Sequence, residues 1–167
     1  NAEALERLGA VDTVVLDKTG TLTEGKPRVT DVVRAAGSPN EDEVLALVAS
    51  AERGSEHPLG DAIVREVTET RGIVVPEASD FRSTDEGGIA ATDSGRRILV
   101  GRQGFLEAEG IDVSTLLVAA DALAEDGKTP VFAAIGGQLA AVIAIADTPK
   151  PGSAAAVAEL HRLGIKV

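Results

Sequence analysis

The chain has 167 residues and a formal net charge of −11, from 27 acidic against 16 basic side chains. That balance argues against nucleic acid, whose backbone demands clustered Lys and Arg, and the three Phe with no Trp or Tyr leave few platforms for stacking bases. The absence of Cys excludes a disulfide framework and any thiolate metal site, the two histidines argue against a His-rich one, and no run approaches the roughly 20 apolar residues that span a bilayer.

Residues 11–16 are apolar and β-branched and precede a Gly-bearing turn, which predicts a buried strand. Pro27–Ala36 alternates as a second strand, ended by Gly37-Ser38-Pro39. A helix is expected from Asn40, with Asn40 as its cap, Glu41, Asp42 and Glu43 at its positive end, and Val44, Leu45, Leu47 and Val48 as its apolar face. Gly54 closes it, and Pro58 opens another with Leu59, Ala62, Ile63 and Val67 on one stripe.

The middle of the chain changes character. Short strands are expected at 81–82, 89–92 and 97–100, the last two joined by the tight turn Asp93-Ser94-Gly95. A helix over about 114–125 precedes Asp126-Gly127, and strands at 131–135 and 138–145 flank Gly136-Gly137. Pro151 opens a helix through Leu163, and 165–167 reads as the start of a strand. The ends therefore read as βα units of a parallel sheet and the middle as antiparallel sheet with helices, the pattern of one domain inserted in another.

The chemistry concentrates at Asp17-Lys18-Thr19-Gly20-Thr21-Leu22-Thr23. An Asp at the carboxyl end of a strand stands where open α/β sheets place ligands, and the Thr-Gly-Thr after it can offer amides and hydroxyls to a phosphoryl group. A carboxylate there can act as a nucleophile, but an isolated Asp-x-x-Gly is equally a polar turn. The full seven-residue string resembles the phosphorylation motif of the P-type ATPases. The resemblance implies that Asp17 becomes an aspartyl phosphate, with Lys18 and Thr19 beside it and Mg²⁺ held at Asp17 and Thr19. Phosphatases of the related haloacid dehalogenase type carry a second Asp two positions after the nucleophile. Here that position is Thr19, which favours a pump whose acyl phosphate must persist.

Ser55-Glu56-His57-Pro58-Leu59 can cap a helix through Ser55 or His57. It also resembles the Ser-Glu-His-Pro signature of heavy-metal P-type ATPases, which implies an adenine site with Glu56 and His57 at the base and tilts the ion towards Cu⁺ or Ag⁺. In that family a Gly-x-Gly pair and a Val-Gly-Asn-like segment complete the pocket. Here Glu86 stands at the first glycine, with Gly87 as a stand-in, Gly88 fits the second, and Val100-Gly101 is followed by Arg102 instead of Asn. These departures imply ATP binding that is weakened or differently arranged. Gly127-Lys128-Thr129 lacks the upstream glycine and following helix of a Walker loop, and Lys128 reads as a solvated turn lysine. Asp147, in Asp147-Thr148-Pro149-Lys150-Pro151, matches a hinge Asp near the nucleotide, whereas His161 reads as structural or solvated.

The fold expected is α/β: a nucleotide-binding domain with a central antiparallel sheet flanked by helices (26–145), inserted into a partial Rossmann-like phosphorylation domain of the haloacid dehalogenase type (1–25 and 146–167). The function expected is the ATP-binding and phosphorylation part of a heavy-metal cation pump at the cytoplasmic face of a membrane. Its partners would be ATP with Mg²⁺, a cation bound elsewhere in the parent, and membrane and actuator domains. The Thr-Gly-Asp and Gly-Asp-Gly segments that the family also uses do not occur in the chain, so ATP binding without turnover is expected. A soluble phosphatase, or a regulatory domain that has lost its nucleotide, are the rival readings.

Overall fold

The computed structural model describes residues 9–84 and 87–167. They fall into two compact units: Pro27–Ala146, and the chain up to Lys26 joined with Asp147–Val167. The larger unit is built on a six-stranded sheet of order β1-β6-β5-β4-β3-β2. Its strands are β1 (Thr23–Arg34), β2 (Ser79–Thr84), β3 (Gly88–Asp93), β4 (Arg96–Gly101), β5 (Thr129–Ile135) and β6 (Gln138–Pro149). The two tight hairpins form where their turn residues demand. Asp93 pairs with Arg96 across Ser94 (φ 49°) and Gly95 (φ 78°), and Ile135 pairs with Gln138 across Gly136 (φ 61°) and Gly137 (φ 83°). Positive φ at both central residues matches the twist of the flanking strands.

Alternation along the strands sends side chains to two separate cores. Ile98, Val100, Val131, Ala133 and Ile143 pack with Leu45, Val48 and Ile63 of α1 (Glu41–Glu52) and α2 (Pro58–Arg65). Leu99, Phe132, Ala134 and Val142 face the other way, against Phe105, Leu106 and Leu123 of α3 (Gln103–Ala108) and α4 (Leu117–Glu125). The sheet is thus the middle of three layers, the antiparallel architecture expected from the sequence. Asn40 caps α1, its Oδ1 accepting from the Glu43 amide at 2.9 Å. The acids of the first turn do more than answer the helix dipole. Arg71 donates to Glu41 (2.7 Å), Asp42 (2.6 Å) and Glu66 (3.0 Å), fastening the start of α1 to the turn that extends α2.

Three expectations need correction. Residues 11–16 form no buried strand: Thr13 makes a single parallel bridge with Lys166, and Val15 is 93% exposed. Among the described residues only the segment at Lys166 pairs with this run, so one side has neither a neighbouring strand nor cover. Lys128 is no solvated lysine. Its amine lies 2.8 Å from the Asp31 carboxylate, and this hydrogen bond holds Asp31 below the usual carboxylate range. The last helix, α5 (Ser153–Arg162), begins at Ser153 and not at Pro151, because Gly152 takes φ 92° ahead of it. Helix α3 was not foreseen, since six residues are too few to show a period. Glu86 lies outside the described residues.

Candidate functional site

In the larger unit the loop between α1 and α2 borders a cleft of about 280 Å³. His57 ends the loop and caps α2, its Nδ1 accepting from the Leu59 amide at 3.2 Å. That bond occupies Nδ1 as an acceptor, so in the neutral ring Nε2 carries the proton and is the edge left for a ligand. Ser55 Oγ accepts from the His57 amide at 3.2 Å, fixing the approach to the cap. The capping and ligand readings of His57 are therefore compatible: one nitrogen serves each.

Across the cleft stand Gly87, Gly88, Gly101 and Arg102. Gly88 and Gly101 face each other in the register of β3 and β4. A Cβ on Gly88 would meet the Phe105 ring at 2.1 Å, and one on Gly101 would meet the Gly88 Cα at 2.8 Å and the Gly87 carbonyl at 2.9 Å. Both positions line the cleft with backbone, and only glycine there lets the Phe105 ring pack so close behind this wall. Arg102, where Asn was expected, lines the same wall beside Gly87.

Among the described residues the one carboxylate lining the cleft is Glu52, which the sequence analysis did not single out. It ends α1, is 6% exposed, and its Oε2 has no hydrogen-bond partner among the described residues. Burial pushes its carboxyl up to about 7 from an ordinary 4.5; the Ser55 hydroxyl opposes the rise, and the charge of Asp61 adds to it. Gly60 makes room for it, since a Cβ there would lie 2.3 Å from Oε2. A signal was present: Glu52 continues the stripe of Leu45 and Val48 at spacings of three and four, and a carboxylate on an apolar stripe asks for an explanation. Glu56, by contrast, is exposed and does not line the cleft.

The smaller unit holds the Asp17 loop. Asp17 is exposed and extended (φ −68°, ψ 144°), and Lys18–Leu22 turn after it with Gly20 at φ 78°. The loop is tied to the return segment of the same unit. Buried Thr23 accepts from the Gly20 amide at 3.2 Å and donates to Asp147 Oδ2. Asp147 also accepts from the amides of Gly25 and Lys26, both at 3.1 Å. Lys150 donates its backbone amide to Leu22 O (2.8 Å) and its amine to Gly20 O (2.5 Å), and Ser153 Oγ donates to Leu22 O (2.8 Å). The structure thus commits the Asp147 carboxylate to the backbone around the loop. Thr19 sits inside this turn, and His161 is exposed on α5. Among the described residues no three His, Asp or Glu side chains gather as a metal site, and no helix is long and apolar enough to cross a membrane.

A profile of the haloacid dehalogenase-like hydrolases matches residues 11–167. Copper-transporting ATPase 2 of Rhizobium meliloti (strain 1021) is 47% identical over 99% of this chain, which covers 20% of that protein. A zinc-transporting PIB-type ATPase, solved in its E2.Pi state, superposes with a TM-score of 0.83 at 38% identity, over 98% of this chain and 26% of that one. The N-domain of HMA6, a copper-transporting P-type ATPase, is 30% identical with a TM-score of 0.60, over 72% of this chain and 99% of that one. The chain spans about a fifth of the length of the curated relatives it matches.

Proposed function

The chain belongs to the haloacid dehalogenase-like hydrolases and, within them, to the heavy-metal P-type ATPases, and from that membership we propose that its cleft binds ATP while Asp17 receives the γ-phosphoryl group. The observation that carries the reading is the cleft itself. An orphaned carboxylate oxygen on Glu52 and the Nε2 edge of His57 stand on one side, with the backbone wall of Gly88 and Gly101 on the other. A 6-aminopurine suits that set: its exocyclic amine can donate to Glu52, its ring edge can meet His57, and its face can lie along backbone without side chains. Gly87 lets the turn before β3 approach the ligand, and Arg102 supplies a cation for the phosphates at a position where Asn was expected.

In the reaction, a carboxylate oxygen of Asp17 attacks the γ-phosphorus, the bond to the β,γ-bridging oxygen breaks, and ADP leaves with that electron pair. Lys18 adds positive charge next to the nucleophile, and Thr19, lacking an acid's proton, leaves the acyl phosphate unhydrolysed. Asp17 and the Thr19 hydroxyl are hard oxygen donors of the kind Mg²⁺ takes when phosphates complete its shell, and the ion would neutralise charge there. Asp147 acts by holding the loop. The whole protein would be a pump at the cytoplasmic face of a membrane that couples this cycle to export of a monovalent heavy metal. Copper is favoured over zinc by Copper-transporting ATPase 2 of Rhizobium meliloti and by the intact Ser-Glu-His-Pro string.

Calorimetric titration of the chain with ATP tests the cleft. Saturable binding is expected, and its absence leaves a regulatory domain without nucleotide as the better reading. In the full-length pump, Asp17→Asn should abolish phosphoenzyme formation from labelled ATP with nucleotide affinity nearly unchanged. A large loss of affinity would assign Asp17 another task.

A further inference from the structure

Glu52 is a buried acid that the cleft leaves half satisfied, and this gives the site a property beyond nucleotide binding. Its carboxyl closes α1 at the cleft, with Gly60 of α2 against one oxygen and Ser55 nearby. Among the described residues the charged and titratable groups that face it are Asp61 from α2, His57 from the cap of α2, and Arg102 just after β4. Asp61 opposes ionisation of Glu52, and the Ser55 hydroxyl favours it. Among the described residues no side chain bonds Oε2, so in the empty cleft the ionised form has only the Ser55 hydroxyl to support it.

We infer that binding of a 6-aminopurine nucleotide drives a proton off Glu52, so that affinity rises with pH across neutrality. The inference rests on the base site proposed above. An exocyclic amine has hydrogens to give and no lone pair available to accept, so its partner must be the carboxylate and not the acid. Protonated Glu52 therefore has to ionise before it can accept that hydrogen bond, and its proton leaves to the buffer. The empty site holds the proton up to about pH 7. Binding at pH 6 then carries a penalty of about tenfold that has almost vanished by pH 8. The protein would read pH as nucleotide occupancy within the range where cells vary.

Calorimetry of the chain with ATP in two buffers of different ionisation enthalpy counts protons directly. Wild type near pH 6.5 should release most of one proton more than Glu52→Gln, whose near-isosteric amide cannot titrate. Between pH 6 and 8 the affinity of wild type should rise about tenfold relative to the variant. The comparison cancels titration of the phosphates, which both complexes share. Ser55→Ala removes the group that favours the charge and should move the wild-type transition to higher pH. Equal proton release in wild type and Glu52→Gln, with ATP bound by both, overturns the coupling and leaves the base site standing. So does extra proton uptake by wild type, which would mean that Glu52 binds as the acid. Failure of wild type to bind ATP at pH 6 and at pH 8 would instead overturn the base site and the coupling together.

Discussion

The hydroxyl of Thr23 donates to the carboxylate of Asp147, 124 residues further along the chain. Thr23 is the last letter of the Asp17 string, and the bond joins the two segments of the smaller unit. The same carboxylate collects the Gly25 and Lys26 amides, so one side chain satisfies three donors just after the nucleophile loop. A charged acceptor of several hydrogen bonds holds backbone more firmly than neutral ones do. The loop that must present Asp17 is thus set by a residue from the far end of the sequence.

Removing that acceptor should loosen a defined stretch. Asp147→Ala gives the exposed Gly25 and Lys26 amides over to water and is expected to cost about 0.5–1.5 kcal/mol locally. Hydrogen exchange followed by mass spectrometry or NMR checks it: protection at those two amides should collapse while β4 and β5 keep theirs. Asp147→Asn retains one acceptor oxygen and should lie between. Unchanged exchange at both amides would mean that the loop is held by Lys150 and Ser153 alone.

The glycine wall makes a prediction with an internal control. Gly88→Ala and Gly101→Ala should each destabilise the larger unit by about 3 kcal/mol or more, through overpacking, as read from denaturant midpoints. The causes differ. A methyl on residue 88 would strike the Phe105 ring first, at 2.1 Å, whereas one on residue 101 would meet the Gly88 and Gly87 backbone as closely as the ring. Combining each with Phe105→Ala should therefore show a coupling of at least about 1 kcal/mol for position 88 and a smaller one for position 101. Equal couplings would place the ring elsewhere.

Much of this was legible in the sequence. The hairpins followed from Ser94-Gly95 and Gly136-Gly137, the start of α1 from Asn40, and the antiparallel sheet with helices from the short strands and turns in the middle of the chain. Local chemistry decides such features, so one sequence shows them. The misses are of another kind. Residues 11–16 have the composition of a buried strand, yet composition carries no information about which neighbours cover it. Glu52 carried a signal in its place on the stripe of Leu45 and Val48, but how far it is buried depends on α2 and the wall of β3 and β4, which is tertiary. Lys128 looked like a turn lysine because Asp31 lies 97 residues away. The role of Asp147 as a staple for the loop was hidden for the same reason.

His57 carries two tasks on two nitrogens, and substitution can part them. His57→Ala loses the cap of α2 and the ring, so stability should fall by about 0.5–2 kcal/mol and ATP affinity severalfold. His57→Asn keeps a side-chain acceptor for the Leu59 amide, so thermal stability should return to near wild type while the affinity loss remains. Recovery of affinity with stability would reduce His57 to a cap and move the base site away from the ring.

Glu52 should also make the stability of the chain depend on pH in an unusual direction. Burial raises its carboxyl to about 7 from the 4.5 of an exposed one. Between those values the folded chain keeps a proton that the unfolded chain has released. Folded protein binds more protons, so stability falls as pH rises through this window, and the loss is complete above about pH 7. The full difference corresponds to on the order of 2–3 kcal/mol for a group this buried. Glu52→Gln has no such proton to lose. At pH 4 its denaturant midpoint should match that of wild type, and at pH 8.5 it should be the more stable protein by that amount. Titrations elsewhere in the chain cancel in the difference between the two proteins. Parallel pH profiles for wild type and Glu52→Gln would mean that the carboxyl ionises freely in the folded state, through water or a cation at Oε2. The cleft would then offer a solvated acceptor in place of a dry one.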